Sequence, residues 1–170
     1  MKKLFATIIL SVIGFSIATA QRCDPNPKDI KGIKQIVKAC VKSISGKKGQ
    51  ERDWDKFESL FLPTAQLCAV ECNPDTNYLR VIPIERFLDT YKEIYENHTF
   101  FEKSKKIHIR KFRNIAQVLQ VYELKIDTEE KPIMGINSYQ LIYKNGRWWI
   151  TNLLWQGECE EAKIPKELME

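Results

Sequence analysis

Among the acidic residues and histidines of this sequence, Glu102 and His108 are the two candidates for a general acid or base. His108 stands between two isoleucines, so in a strand it faces the side opposite to them, and an imidazole there can accept a proton near neutral pH. Glu102 follows two phenylalanines, and an apolar environment would raise the pKa of its carboxyl group. More often such a histidine is a surface or packing residue, and such a glutamate pairs with a nearby Lys or Arg. Both residues are candidates for catalysis.

The five cysteines all follow the N-terminal apolar run: Cys23, Cys40, Cys68, Cys72 and Cys159. Cys68 and Cys72 can pair if the chain turns between them, and a Cys23–Cys159 disulfide would join the two ends of the domain. Cys40 falls on the apolar face of a predicted helix and is expected to be a buried thiol. An odd number forbids complete pairing, and the connectivity stays open. No CxxC pair or histidine has the spacing of a metal site, so no metal is predicted.

Residues 1–20 have the parts of a secretory signal peptide. Two lysines precede an apolar run over residues 4–18, and Ala18-Thr19-Ala20 is a small-x-small cleavage site. The alternative is a membrane anchor, but the run is short for a span and charged residues follow at once. We expect a mature protein that starts at Gln21, is secreted or periplasmic, and has no membrane contact after cleavage. Disulfides persist in such compartments.

The charge pattern and the length of residues 21–170 limit the possible functions and the number of domains. The chain has 27 basic and 22 acidic residues, a formal net charge of +5, and the two signs are interspersed. This mixed surface gives no support for nucleic-acid binding. No phosphate-binding loop or nucleophile elbow occurs, so no cofactor is predicted. Residues 21–170 contain no repeat or linker and are predicted to form a single domain.

Apolar residues at helical spacing predict three helices. The first runs from Ile30 to Ile44. The second, over residues 54–61, follows a cap at Asp53. The third, over residues 84–95, begins after Pro83. Two short strands, residues 65–70 and 78–82, separate the second helix from the third.

Residues 104–156 predict an antiparallel meander, because runs rich in Ile, Val, Tyr, Phe and Trp alternate with turns. Asn145-Gly146 lies in the last turn and is the pair that a type I′ hairpin turn favours. Together with the helices, this order predicts an α+β fold with three helices on one side of a curved antiparallel sheet of about six strands.

Several segments carry a resemblance to a known superfamily: Asp53-Trp54 with Phe61, Phe100-Phe101-Glu102, Asn114-Ile115-Ala116-Gln117-Val118 with Tyr122, Gly135-Ile136-Asn137-Ser138 with Gln140-Leu141, and Gly146-Arg147-Trp148-Trp149-Ile150. With these segments the chain resembles the nuclear transport factor 2-like (NTF2-like) superfamily, of the SnoaL-like kind, over nearly all of residues 21–170. The resemblance implies a cone-shaped fold with a pocket between sheet and helices. Catalysis in that superfamily uses a pocket carboxylate or histidine, and no complete set matches residue by residue here.

The resemblance also implies which side chains line the pocket, since it turns the Trp148 and Ile150 face of the last strand inward. Strand alternation then puts six polar side chains among apolar neighbours on the concave side: Gln120, Tyr122, Asn137, Tyr139, Asn152 and Gln156. Such a cavity suits a small, partly apolar ligand. Alternatively, these groups hydrogen-bond one another in a filled core. Glu102 is expected at the mouth of the cone.

Two classes of function follow from these residues. The preferred one is a non-catalytic binding or interaction module, because no acid–base set is recognisable. The alternative is a small-molecule isomerase, dehydratase or cyclase that uses His108 or Glu102 as acid or base, and that alternative rests on fold analogy.

The convex side of the sheet is predicted to be apolar, with Trp149, Leu153, Trp155, Leu119 and Val121 on it. Soluble monomers rarely leave such a patch in water. Apolar residues of the C-terminal tail offer one cover, and a second copy of the chain offers another. The resemblance favours the second, so we expect a homodimer through this face with Trp149 and Trp155 at its centre.

Overall fold

The computed structural model describes residues 30–71, 78–160 and 162–170. The elements are α1 Ile30–Ile44, α2 Trp54–Ser59, β1 Phe61–Glu71, β2 Tyr78–Pro83, α3 Ile84–Asn97, β3 Phe100–Phe112, β4 Ile115–Ile126, β5 Ile133–Lys144 and β6 Arg147–Gly157, with a 3-10 turn at Lys166–Leu168. Each predicted helix and strand is present, although α2 ends earlier than predicted because Phe61 already begins β1. The predicted signal peptide and Cys23 lie outside the described residues.

Helices α2 and α3 begin where the sequence predicts. The Asp53 side chain accepts a hydrogen bond from the backbone nitrogen of Lys56 at 3.1 Å, which is the N-cap of α2. Pro83, with φ −60°, directly precedes α3. In the described ranges no helix is both long and apolar enough to cross a bilayer.

The six strands form one sheet in the order β2-β1-β6-β5-β4-β3. All neighbouring strands are antiparallel except β1 and β6, which are parallel. The expected all-antiparallel sheet is therefore wrong at this pair, and the sheet is mixed. The direction of β1 against β6 depends on how the β1–β2 hairpin docks on the meander, a long-range contact that local patterns do not encode.

The turn between β5 and β6 has the predicted geometry. Asn145 has φ 53° and Gly146 has φ 80°, and a type I′ turn requires positive φ at both central residues.

The buried faces of the three helices and one face of the sheet share a single hydrophobic cluster. We call this face of the sheet the inner face and the opposite one the outer face. Trp148 and Ile150 belong to the cluster and are 5% and 0% exposed, which confirms their predicted burial. Trp149 is on the outer face, half-buried, with the Arg147 guanidinium 3.3 Å from its ring centroid.

A β-bulge in β6 changes which side chains face inward beyond Ile150. Leu141 pairs with Ile150 but Gln140 pairs with Asn152, so Thr151 is an extra residue in β6. A bulge of one residue inverts the alternation that follows it. As a result Leu153 is buried in the core cluster and Trp155 packs against it.

This inversion corrects several predictions at once. Asn152 and Gln156 lie on the outer face instead of the inner one, and the Asn152 amide is 4.0 Å from the Cys68 sulfur there. Leu153 and Trp155 were predicted on the outer face and lie on the inner one. Trp155 is therefore not at the centre of the outer face as predicted, and the homodimer itself stays a prediction.

The C-terminal segment, residues 162–170, covers part of the outer face. Ile164 lines a pocket with outer-face residues of β5 and β6. Farther along, the carbonyl oxygen of Leu168 is 2.9 Å from Nε2 of His108 on β3. The segment therefore crosses the strands between, and Val121 on the outer face of β4 is 0% exposed.

The cysteines agree with the predictions only in part. Cys40 is a free, buried thiol as expected. Cys68 is also free, so the predicted Cys68–Cys72 disulfide is wrong; it required a turn just after Cys68, whereas β1 continues to Glu71. Cys159 is disulfide-bonded. Cys23 and Cys72 lie outside the described residues, so a Cys23–Cys159 pair stays a prediction.

Candidate functional site

A cavity of about 90 Å³ lies between the helices and the inner face of the sheet. Its walls come from all three helices and five of the strands, and most of them are apolar or aromatic side chains. The polar lining groups are the carboxyl of Glu102, the amide of Asn137 and the hydroxyls of Tyr95, Tyr122 and Tyr139.

Glu102 reaches the cavity from the first half of β3. Phe100 precedes it in the core, and the backbone nitrogen of Glu102 donates to the Ser45 hydroxyl at 3.2 Å. Lys105 is an extra residue in β3, because Ser104 pairs with Tyr122 and Lys106 with Val121. Glu102 and Ser104, ahead of this bulge, face inward.

A network of amides and hydroxyls surrounds the carboxyl group. Asn137 Nδ2 donates to Glu102 Oε1 at 2.8 Å and also lies 3.2 Å from Gln120 Oε1. Gln120 Oε1 accepts from the Tyr139 hydroxyl at 2.8 Å, and Gln120 Nε2 donates to the Ser104 hydroxyl at 2.7 Å. Gln120 is 0% exposed. These side chains therefore satisfy one another, as in the filled-core alternative, and hold Glu102 in one orientation.

The carboxyl group of Glu102 is nevertheless incompletely paired. Its recorded hydrogen bonds, from Asn137 at 2.8 Å and Gln120 at 3.4 Å, both reach Oε1. Oε2 accepts no hydrogen bond from the described residues. Burial raises the pKa of Glu102 to about 7, and the hydrogen bond from Asn137 offsets only part of that rise. Near neutral pH the group exists in both its acid and its ionised forms.

The three phenols of the cavity stay protonated. Burial, followed by the nearby charge of Glu102, raises the pKa of Tyr95 and of Tyr122 well above the usual value. The pKa of Tyr139 rises because of burial, then because of Cys40 and Glu102. Each phenol is thus a hydrogen-bond donor at any physiological pH. The Tyr122 hydroxyl sits against Gly135, where a Cβ atom would overlap it.

The structure brings together only part of the predicted set. Glu102, Tyr122, Asn137 and Tyr139 line the cavity, with Gln120 behind them. The other three predicted residues, His108, Asn152 and Gln156, belong to the outer face, so His108 is not positioned to act on a cavity ligand.

Sequence reasoning missed Tyr95 and Trp155 as cavity residues. Tyr95 was predicted only to lie on the apolar face of α3. That position was the sequence feature from which its place in the cavity wall could have been predicted. Trp155 was predicted on the outer face because no local sequence pattern indicates the bulge at Thr151.

Within residues 30–71, 78–160 and 162–170, no three His, Cys, Asp or Glu side chains come close enough to hold a metal ion.

Comparison with known proteins shows that this chain is similar in fold to proteins of known structure. No protein-family model matches the chain, and no curated protein matches it. Many solved structures do. A protein of unknown function from Mycobacterium tuberculosis has a TM-score of 0.60 at 10% identity, over 76% of this chain and 71% of that one.

Two further structures belong to named groups. An NTF2-like protein of unknown function from Shewanella baltica is 17% identical with a TM-score of 0.52, over 79% of this chain and 100% of its own. A Shewanella frigidimarina protein, named provisionally as a ketosteroid isomerase, is 13% identical with a TM-score of 0.57, over 77% and 98%. Identities this low establish the fold alone, and the SnoaL-like branch stays a prediction.

Proposed function

This chain has the nuclear transport factor 2-like fold, and on that premise we propose that it is a ligand-binding domain whose cavity receives a small, mainly apolar molecule, with Glu102 as the polar contact. One observation carries the proposal: the half-buried carboxyl group of Glu102 is held by Asn137 through one oxygen, while its other oxygen accepts no hydrogen bond from the described residues, beside a mainly apolar cavity. A ligand with a donor group would supply the hydrogen bond that this oxygen does not receive from those residues.

The cavity dimensions and the state of Glu102 limit the chemistry of the ligand. About 90 Å³ is well below the ~300 Å³ at the lower end of drug-sized pockets, so the ligand has few non-hydrogen atoms or inserts only one end. An ionised Glu102 accepts a hydrogen bond from an alcohol or an ammonium group, and a protonated one donates to a carbonyl. The aromatic side chains of Phe87 and Trp155 contact the apolar part.

Binding of small probes tests this assignment. Wild type, Glu102→Gln and the control Glu129→Gln, in the exposed β4–β5 turn, are titrated with short-chain alcohols, amines and ketones and followed by NMR. We expect saturable shifts of cavity residues in wild type and control, with affinity for amines at pH 8 reduced about tenfold or more in Glu102→Gln. Identical titrations in all three proteins, or no binding by any probe, would overturn the proposal.

A second candidate function is proton transfer, with Glu102 as the base of a small-molecule isomerase or related enzyme. It is favoured by the pKa of Glu102, about 7, because a base is most effective when its pKa is near the working pH. A phenol such as Tyr122 would donate to the oxygen on which charge develops. Deuterium exchange at the α-carbon of a bound ketone measures this step. Exchange that rises with pH around 7 and is lost in Glu102→Gln supports catalysis, and no exchange above the uncatalysed rate favours binding alone.

We also propose that the protein is exported and acts in the periplasm or outside the cell. The support is the order of features in residues 1–20, in which two lysines are followed by an apolar run and then by a cleavage site of small residues. Intact-mass measurement of the protein from its source tests it, and a mass that includes residues 1–20 would contradict it.

A further inference from the structure

A groove of about 750 Å³ runs along the outside of the molecule between α1 and the beginning of β3. Its lining includes three apolar side chains, Val41, Ile107 and Phe101, among polar and charged ones, and 42% of Phe101 is exposed. Val41 and Glu102 line both this groove and the internal cavity. The groove is therefore a larger space that adjoins the cavity at these two residues.

Three lysines of α1 border the groove on one side. Lys34, Lys38 and Lys42 are spaced by four residues, which places them on one face of the helix at steps of about 6 Å. All three are exposed. The two ion pairs recorded among the described residues involve none of them. Their positive charges therefore remain available to an anion bound in the groove.

The other charged residues of the groove determine at which end an anionic group would bind. Arg52 also lines it but donates to six backbone carbonyl groups, which include those of Ile44 and Tyr95, and is 4% exposed. Its guanidinium therefore donates its hydrogen bonds within the protein and is not available to bind an anion. Glu51 and Asp53 line the loop end of the groove, and Glu102 and Lys103 line it from β3. An anionic group is disfavoured at the loop end and favoured beside Lys34 and Lys38.

We propose that this groove binds an amphiphilic anion with a single hydrocarbon chain, such as a long-chain carboxylate. The chain lies on Val41, Ile107 and Phe101, and the anionic group lies among the α1 lysines. Three apolar side chains beside lysines that form no ion pair with the described residues fit this class of ligand and disfavour an amphiphilic cation. A volume of about 750 Å³ falls within the ~300–1,000 Å³ range of small-molecule clefts.

The test uses decanoate, decyltrimethylammonium and butanoate with the mature protein in calorimetric titrations. We expect decanoate to bind, and both decyltrimethylammonium and butanoate to bind about tenfold more weakly or not at all. The variant Lys34→Glu/Lys38→Glu should lose about tenfold or more in decanoate affinity and gain affinity for the cation. A matched control, Lys131→Glu/Lys144→Glu, changes the same net charge on two exposed lysines away from the groove and should leave both affinities unchanged.

Other outcomes overturn the proposal. Equal loss in both double variants would mean a nonspecific charge effect, and binding to anionic phospholipid vesicles without binding of decanoate would mean a membrane surface. A change of oligomeric state in Lys34→Glu/Lys38→Glu would mean that a second copy occupies the groove. Circular dichroism establishes that the variants fold. The lysine variant separates the two sites: Lys34→Glu/Lys38→Glu should weaken decanoate and leave the affinity of the cavity for amine probes within about a factor of three, because neither lysine lines the cavity.

Discussion

Glu102 and His108 are six residues apart in β3 and lie on opposite faces of the sheet. An even separation in a regular strand puts two side chains on the same face. The extra residue Lys105 breaks the alternation between them, so Glu102 points into the cavity and His108 points at the C-terminal segment. Because of this bulge Glu102, and not His108, lines the cavity, where burial raises its pKa to about 7.

The raised pKa of Glu102 should make the stability of the protein depend on pH. The folded-state pKa is about 7 against an ordinary value of 4.5. The native state therefore holds this proton more tightly, so its stabilising effect is complete below pH ~4.5 and is lost as pH rises through ~7. We expect urea unfolding to show about 2–3 kcal/mol less stability at pH 8 than at pH 5 from this group. Glu102→Gln should abolish that difference and Glu129→Gln should keep it. The same pH dependence in both variants would contradict the assignment.

Arg52 should be the most sensitive charged residue for folding. Its Nε donates to Ile44 O at 3.0 Å and its Nη2 to Tyr95 O at 2.9 Å, so one guanidinium joins the ends of α1 and α3. Arg52→Ala leaves buried carbonyl groups without donors, and we expect a loss of about 3 kcal/mol or more in the free energy of unfolding. Arg52→Lys should also be destabilising, because an ammonium cannot reach both helix ends at once. The exposed control Arg86→Ala should cost under about 0.5 kcal/mol. A tolerated Arg52→Lys would refute the bridging role.

The two adjacent tryptophans of β6 should differ in their contribution to stability. Trp148 is 5% exposed in the core, and we expect Trp148→Ala to cost about 3–5 kcal/mol. Trp149 contacts Arg147 on the outer face, and its replacement by Ala in a monomer should cost about 1 kcal/mol. Denaturant unfolding at a concentration where only monomer exists makes the comparison. Equal losses would show that the inner and outer faces are misassigned.

A homodimer, if it forms through the outer face, should use the end of the sheet that the C-terminal segment leaves open. Phe112, Ile115, Ile142 and Trp149 are paired in one row across four strands, and the first two are 72% and 58% exposed. Monomers rarely expose such a row. We predict a dimer by light scattering at micromolar concentration, which Phe112→Glu dissociates. Val81→Glu, at a residue 49% exposed on the edge strand β2, is the control. A monomeric wild type would end this prediction.

Local sequence patterns were sufficient for the helices, most strands and the β5–β6 turn. Asp53 caps α2, Asn145-Gly146 forms the turn, and the apolar spacing of α1 selects its buried face. These features depend on residues within a few positions of one another, so the information is present in the sequence itself.

The site was predictable only up to the first irregularity in each strand. Tyr122, Asn137 and Tyr139 were placed correctly because β4 and β5 alternate without interruption between them. Asn152 and Gln156 were misplaced because Thr151 is an extra residue whose type does not mark a bulge. His108 does face the side opposite to its neighbouring isoleucines, and that side is the outer one because Lys105 is an extra residue.

The amino-acid sequence by itself determined the element order, the core side chains of regular segments and the presence of one glutamate behind two phenylalanines. The tertiary structure alone decided that β1 joins β6 in parallel, that two bulges invert their strands, and that Asn137 and Gln120 surround Glu102. The physical reason is the range of the interactions. Helix caps and turns form between near neighbours, whereas strand register and the desolvation of a carboxyl group depend on contacts between residues far apart in the chain.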